Sequence, residues 1–525
     1  MRRACVLLLI ALLVTGGCTS LGEYVGNGLK VGPNYCPADA PVAGDWIDAA
    51  DARLDTAPAD LSCWWSVFRD PTLDALIQTA MRQNLTLREA GCRVLAARAA
   101  RAIAAGNLFP QQQEAAGAFG RNAASTATAN SQFMTQRFFD QWDAGFNLAW
   151  ELDFWGRFRQ AIEAADADLG ASAAEYDQVM VTLLADVAAA YVEIRTLERR
   201  IALAQANVKL QRETFTIANA RYRGGQVSEL DVDQATSTLA QTEALIPQLE
   251  LRKRQASNRL CVLLGIPPTD LNAVLGTGPI PLAPAKVVIG IPADLLRRRP
   301  DVRRAEREVA AESARVGVAT AELYPHIGIT GTLGYSAEQF GDLFGPQALQ
   351  SDIGPSFRWN ILNYGRLINA IRRQDAKLAE RIVAYQNRVL QANAEAEDGI
   401  TRFLRGLQRT GWLRTSVVAS EKAVRVAVAQ YKGGLIDFNW VAMVQQNLVE
   451  QQELLAQSQG ETILGLVETY RALGGGWQTG PQPVADSTPV SIAEPTPELL
   501  PTPTAEPVPA RSKTTWKLSR VWLIR

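Results

Sequence analysis

The sequence predicts a mainly α-helical chain with a small transmembrane β part, built from two copies of one unit. Three observations carry that expectation. Between Gln141 and Asp153, Trp142, Ala144, Phe146, Leu148, Trp150 and Leu152 alternate with Gln141, Asp143, Gly145, Asn147, Glu151 and Asp153. That is the period of a strand with one apolar and one polar face, at a length that suits a tilted bilayer crossing. From Phe158 to Arg223 there is no proline, and Met180, Leu184, Val187, Tyr191, Ile194, Ile201 and Val208 form a seam of coiled-coil spacing. Finally, Trp150 to Arg157 is mirrored by Trp359 to Arg366, Tyr222-Arg223-Gly224-Gly225 by Tyr431-Lys432-Gly433-Gly434, and Leu264-Gly265 by Leu473-Gly474. One offset, about 209 residues, relates all three matches, which marks a duplication.

The chain begins with Arg2 and Arg3, an apolar run from Ala4 to Val14, and Thr15-Gly16-Gly17-Cys18. This reads as a secretory signal over 1–17 that ends in a lipobox-like motif, with Cys18 the lipidated first residue of the mature chain. Thr15 stands where such motifs usually carry Leu. Thr19 is not the Asp that resembles an inner-membrane retention signal, so sorting to the outer membrane is expected. No later stretch has the 18 or so apolar residues of a spanning helix, so any entry into the bilayer is by strands. Cys36, Cys63, Cys92 and Cys261 lack metal-ligand spacing and His326 is the lone histidine, so no metal or cofactor is expected. Cys36 with Cys63 is the pair most compatible with a disulfide in an oxidising compartment. A net charge of -1 argues against nucleic acid as a partner.

Residues 18–72 read as an irregular wrap punctuated by Gly32-Pro33, Cys36-Pro37 and Ala40-Pro41. The first repeat, 73–275, opens with a helix to Gly106 that Phe109-Pro110 stops. Strands at 109–121 and 141–153 follow, then a helix over 157–223, on the order of 100 Å long at 1.5 Å per residue. Gly224-Gly225 end it, and Ser228 with Asp231 suggests a capping-box restart for a return helix over 228–264. A Pro- and Gly-rich linker occupies 276–293. The second repeat, 294–476, has a helix, strands at 323–336 and 352–363, a long helix over 366–432 and a return helix over 437–473. Prolines from Pro481 to Pro509 mark 477–525 as a disordered or polyproline tail.

Four strands cannot close a barrel, and open edges are not tolerated in lipid. The barrel must therefore be shared between chains: two copies give eight strands and a filled interior, three give twelve and room for a pore. The return helix and the next rising helix together match one long helix in length, so the linker between them should form a belt partway along a helical tube.

Val31-Gly32-Pro33-Asn34-Tyr35, Trp64-Trp65 with Phe68, Asp70-Pro71 and Leu73, the Trp-to-Gly-Arg blocks at 150 and 359, Tyr222 to Leu230, Arg299-Pro300-Asp301-Val302-Arg303 and Tyr431-Lys432-Gly433-Gly434 resemble the outer-membrane efflux factor family. These are the TolC-like channels, and the match is to the NodT-type lipoprotein branch; it covers Cys18 to about Gly476. The resemblance implies a homotrimer with a twelve-stranded outer-membrane barrel and a twelve-helix periplasmic tube. It also implies partners: a periplasmic adaptor, an inner-membrane pump and outer-membrane lipid. Carried over by position, the periplasmic tip and adaptor contact is Tyr222, Arg223, Gly224, Gly225, Ser228, Tyr431, Lys432, Gly433 and Gly434.

The gate candidates are Asp231, Asp233, Asp437, Asn439, Trp440 and Met443. Where the family often has an acid just inside the second tip, this chain has Asn439, Trp440 and Met443. The closure is then either a ring of acids from Asp231, Asp233 or Asp437, or an apolar plug; Trp440 and Met443 could equally pack the helix seam. No nucleophile-base-orienter set is visible, so enzymatic activity is not expected. The leading function is a passive exit duct for small toxic compounds in a tripartite system, with Asp143, Glu151, Asp153 and Arg358 biasing ion passage. The alternatives are a duct for secreted polypeptides, metals or oligosaccharides, and an anchored coiled-coil scaffold without a pore.

Overall fold

The computed structural model describes residues 21–57, 60–127, 129 and 136–479. Cys18, the signal segment and the tail beyond Thr479 lie outside the described residues. Where the tail was expected to begin, Trp477–Thr479 instead form a short 3-10 turn; the Trp477 indole donates to the Arg298 carbonyl at 2.9 Å.

Helix α1 (Leu21–Gly26) precedes the wrap, which contains β1 (Leu54–Asp55) and a 3-10 turn at Trp64–Phe68. The first repeat then reads α2 (Pro71–Gln83), α3 (Leu85–Gly106), β2 (Gln112–Ala123), β3 (Phe138–Glu151), α4 (Arg157–Arg223) and α5 (Glu229–Leu263). The belt contains α6 (Asn272–Leu275) and β4 (Val287–Val288). The second repeat reads α7 (Leu295–Arg298), α8 (Pro300–Ala321), β5 (His326–Ala337), β6 (Leu349–Arg358), α9 (Arg366–Lys432) and α10 (Phe438–Ala472). The duplication is metric: α4 and α9 have 67 residues each, α5 and α10 have 35, and α3 and α8 have 22. Gly156 and Gly365, at φ 81° and 79°, start the two long helices in the left-handed region that suits glycine.

Three boundaries differ from expectation, each for a local reason. The helix expected from 73 to 106 is two helices, because Asn84 leaves helical geometry (ψ 126°), accepts from the Leu87 N–H at 2.8 Å and caps α3. The second repeat's rising helix breaks at Arg299, since Pro300 forces the preceding residue into an extended conformation (ψ 118°). The strands shift by one to five residues: Phe109-Pro110 belong to the turn after α3, and Asp153 is not in β3. Ser228 sits at the N-cap of α5 without a side-chain cap bond, so the expected capping box does not form. Cys36 and Cys63 are exposed free thiols, not a disulfide.

The four strands form one antiparallel sheet in the order β2-β3-β5-β6. Its register places like on like. Ala115, Phe146, Leu333 and Ser351 lie in one row, and Leu148 faces Gly331, which faces Ile353. Glu114, Asn147, Thr332 and Asp352 share a row of the opposite parity. Period-two alternation in each strand thus becomes one apolar face and one polar face across the sheet. Phe119 and Trp142, paired on the apolar face, hold their rings 4.4 Å apart.

The helices pack as the length argument requires: α5 and α8 both lie against α4, while α8 also packs on α9 and α10 packs on both α4 and α9. Midway along α4, the core reaches all round it, with Met180, Leu184, Val187, Tyr191 and Ile194 buried. Here the belt is fastened by Arg195, a fully buried arginine whose guanidinium donates to the Leu275 and Gly276 carbonyls (2.6 and 2.9 Å) and pairs with Glu198 (2.8 Å). The wrap crosses the second repeat and the belt: Tyr35 donates to Glu306 (3.1 Å), the Trp46 indole to the Gly290 carbonyl (2.9 Å), and β1 pairs in parallel with β4. Among the described residues no helix is long and apolar enough to cross a membrane.

Candidate functional site

The two hairpin turns, α4 to α5 and α9 to α10, lie side by side at one end of the helices and are tied together. Each turn is closed in the same way. Gly225 (φ 66°) and Gly434 (φ 73°) take the left-handed position, and Gln226 N–H and Leu435 N–H reach back to the Arg221 and Gln430 carbonyls, 2.9 Å in both cases. A small core separate from the main one fills the space between them, made of Ala218, Ala235, Ala427, Tyr431, Phe438, Val441 and Ala442.

Tyr431 is the centre of this end. It is fully buried, meets Phe438 edge-on at 5.4 Å, and its hydroxyl donates to Asp231 Oδ2 at 3.0 Å. Arg221 stacks over the Tyr431 ring at 4.7 Å and donates to the Tyr431 carbonyl. Burial, helped by the Asp231 carboxylate, pushes the Tyr431 hydroxyl above its ordinary range, so it remains a donor. The Asp231 side chain, engaged by Tyr431, is not available to complete the capping box with Ser228.

Asp231 is therefore the gate candidate that the structure ties to the opposite hairpin. Asp233, Asp437 and Asn439 are exposed, as are Tyr222, Arg223, Gly224, Gly225, Ser228, Lys432, Gly433 and Gly434. Trp440 and Met443 are 55% and 47% exposed, so within one chain they do not pack the helix seam; Phe438 and Val441 do. Arg221 is not among the tip residues that the resemblance implies. The duplication held the signal, because Arg221 corresponds to Gln430, and only the first hairpin carries a cation there.

Above the tips, α4 and α10 meet through polar side chains. Asn207 donates to Gln452 (2.8 Å), Gln445 to Thr214 (2.9 Å) and Arg200 to Glu453 (2.6 Å). At the other end of the helices, the polar face of the sheet carries Glu114, Asp143, Glu151 and Asp352 against His326 and Arg358. His326 Nδ1 lies 2.7 Å from Glu151, and Arg157 bridges Glu151 (2.7 Å) and Glu322 (3.1 Å) where strands meet helices. Asp153 has a different task from the one expected of it. Its carboxylate accepts from the Phe158 N–H (2.9 Å) and pairs with Arg159 (2.9 Å), capping α4 instead of facing a lumen.

A sheet with one lipid-suited face, joined to duplicated helical hairpins longer than any globular core requires, defines a channel subunit of the outer membrane. The chain belongs to the family described as outer membrane efflux protein, which matches residues 76–266 and 291–475. Nodulation protein T of Rhizobium leguminosarum bv. viciae is 30% identical over 450 residues, 85% of this chain and 90% of that one. The pyoverdine export outer membrane protein OpmQ of Pseudomonas putida is 30% identical over 453 residues, 84% and 93% of the two chains. The outer-membrane channel OprN superposes with a TM-score of 0.80 at 33% identity, covering 85% of this chain and 99% of that one. The fold is TolC-like, and the protein resides in the outer membrane of a Gram-negative bacterium and extends into the periplasm.

Proposed function

We propose that three copies close their sheets into one twelve-stranded barrel, continued by a helical tube. In this reading the tips dock on a periplasmic adaptor served by an inner-membrane pump, the duct passes small toxic compounds, and acylated Cys18 anchors each chain.

The observation that carries the proposal is an unfinished symmetry. Helix α8 packs extensively on both α4 and α9, while among the described residues its duplicate α3 packs extensively on α4 and not on α9. The missing contact is with α9, whose surface is correspondingly bare: Val383 and Leu390 are 63% and 53% exposed, although their duplicates Ala174 and Val181 are each 1% exposed. The sheet repeats the pattern, with β3 paired to β5 and the equivalent edges β6 and β2 open. A second chain supplying α3 and β2 satisfies both, and repetition of the step closes a ring. Twelve strands leave a pore where eight would be filled by side chains.

The duplication also sets the register. Asn147 faces Thr332 within the chain, and the equivalent residues are Ser356 and Ala118 of adjacent chains. A chain carrying Ala118→Cys and Ser356→Cys should oxidise to a covalent trimer on a non-reducing gel, and neither single variant should. A covalent dimer would replace the trimer with an eight-stranded form, and no product would favour a scaffold without a pore. The Tyr431, Arg221 and Asp231 link between hairpins, on this reading, holds the tip closed.

A further inference from the structure

We infer that Gln211, on α4, sets how readily each chain's two hairpins separate: it is a buried amide that the closed tip leaves without a partner, and it favours opening. The inference rests on the channel reading and names the residue, in the joint between α4 and α10, that opposes the Tyr431 link.

The hydrophobic core is interrupted along this joint. The main core ends on α4 at Leu197 and Ile201, and the tip core begins at Phe215 and Ala218. Between them α4 carries Asn207, Gln211 and Thr214, at the spacing of four and three residues that keeps side chains on one face. All three are buried. Asn207 donates to Gln452 at 2.8 Å, and Gln445 donates to Thr214 at 2.9 Å. The two helices therefore run antiparallel, with residue 207 level with 452 and 214 level with 445. Gln211 lies between these pairs, level with Leu448, a buried aliphatic side chain that offers an amide nothing.

Gln211 is 3% exposed, and neither its Nε2 nor its Oε1 has a partner among the described residues. An amide can donate twice and accept twice, so holding it away from water with none of those bonds made disfavours the arrangement that does so. The duplicate of Gln211 on α9 is Ser420, which has a partner, since its hydroxyl donates to Asn447 at 3.0 Å. The unsatisfied glutamine belongs to the first repeat alone.

Movement of α10 against α4 relieves it. Gln445 and Gln452 lie three and four residues from Leu448, which is about one helical turn or 5 Å along the axis. A slide of that size brings one of them level with Gln211, and a parting of α4 from α10 admits water to it. Either displacement satisfies the amide, and either separates the hairpins that Tyr431, Arg221 and Asp231 hold together.

The test compares four full-length chains purified in detergent: the parent, Gln211→Leu, Leu448→Gln and the double variant. Each is recorded in planar bilayers for its frequency of entry into the fully open conductance level, which requires each chain's two hairpins to separate, and each is melted in detergent. Gln211→Leu removes the unpartnered amide, so entry should fall about tenfold or more and the melting temperature should rise. Leu448→Gln gives the amide a partner at its own level, so entry should fall there too. In the double variant the introduced glutamine faces a leucine, and entry should return to the parent's frequency or exceed it. A glutamine that only packs the joint predicts the opposite for Leu448→Gln, which would then loosen the seam, and predicts that the two substitutions add. Unchanged or more frequent entry in Gln211→Leu overturns the inference, as does additivity in the cycle. If none of the four chains conducts, the channel reading fails by itself and melting decides: a Gln211→Leu chain no more stable than the parent overturns the role given to Gln211.

Discussion

Replacing Tyr431 by Phe isolates the hydrogen bond that joins the two tips. The ring would keep its contacts with Phe438 and Arg221, and only the donor to Asp231 would be lost. A hydrogen bond to a charged acceptor contributes about 1.5–3 kcal/mol. Asp231 is half-buried and can rehydrate once released, which places the loss near the lower end, about 1.5 kcal/mol per tip. That corresponds to about tenfold in the ratio of closed to open tips. If three tips open together the losses add, and the shift approaches about a thousandfold. Single-channel recording in planar bilayers reads it as a rise in occupancy of the fully open conductance level, the one that requires each chain's two hairpins to separate. Since burial keeps the Tyr431 proton in place, the parent channel's closure should not respond through this residue between about pH 6 and 9. Unchanged occupancy of that level for Tyr431→Phe, with opening on Trp440→Ala or Met443→Ala instead, would refute the lock and identify an apolar plug.

Asp177, on α4 beside Arg303 of α8, is raised to about 6 by burial, which the arginine only partly offsets. The folded chain thus holds this proton more tightly than the unfolded one, so its contribution is greatest in acid and falls away as pH rises from about 4 through 6. Thermal unfolding across pH 4 to 8 should show Asp177→Asn gaining on the parent over that window and keeping the gain above it. In reversal-potential measurements, Asp143→Asn and Asp352→Asn should each lower the cation preference set by the polar face of the sheet. Asp153→Asn should leave selectivity alone and cost about 1 kcal/mol of stability through the lost helix cap. At Gly317 an added Cβ would overlap the side-chain amide of Gln160, which also donates to the Val31 carbonyl of the wrap. Gly317→Ala should therefore lower stability by about 1–3 kcal/mol, and Gln160→Ala in the same chain should restore much of it, as read by thermal unfolding.

The fold class was legible because its signals are periodic and long. Alternation in β3 involves a dozen residues, and a helix of 67 residues leaves a seam that no local exception erases. What escaped was decided by single side chains acting across the chain. Nothing near Asn84 reveals that it will cap α3 while donating to the Leu263 carbonyl 179 residues away. Asp153 alternates correctly for a strand, yet an arginine six residues later and the free N–H groups of α4 draw it into a cap. Pro247 lies inside α5 without ending it, a case where packing on α4 overrides a local breaker. At the tips, residue types were readable but pairing was not: Asp231, Asp233 and Asp437 are equivalent on paper, and only Asp231 faces a buried tyrosine.

The departures from duplication are more informative than the duplication itself. If the two repeats were identical, every joint around a ring would be alike, and no joint would be set apart as belonging within one chain. The first hairpin carries Arg221 and Asp231; the second offers Gln430 and Trp440 at the same places. The first therefore supplies both side-chain partners, and the second supplies Tyr431 to receive them. That one-sidedness lets a chain fasten its own two hairpins while presenting a different face to its neighbour, where Gln430 has neither the charge nor the reach to copy Arg221. In the proposed ring, the joint between chains would lack the bonds that Arg221 and Asp231 make to Tyr431 within one chain. If the tube widens at its tip, it should part first between chains, with each chain's pair of hairpins moving as a unit until the Tyr431 bond breaks. A cysteine pair spanning the two hairpins of one chain, once oxidised, should then leave the first conductance step intact and remove the second.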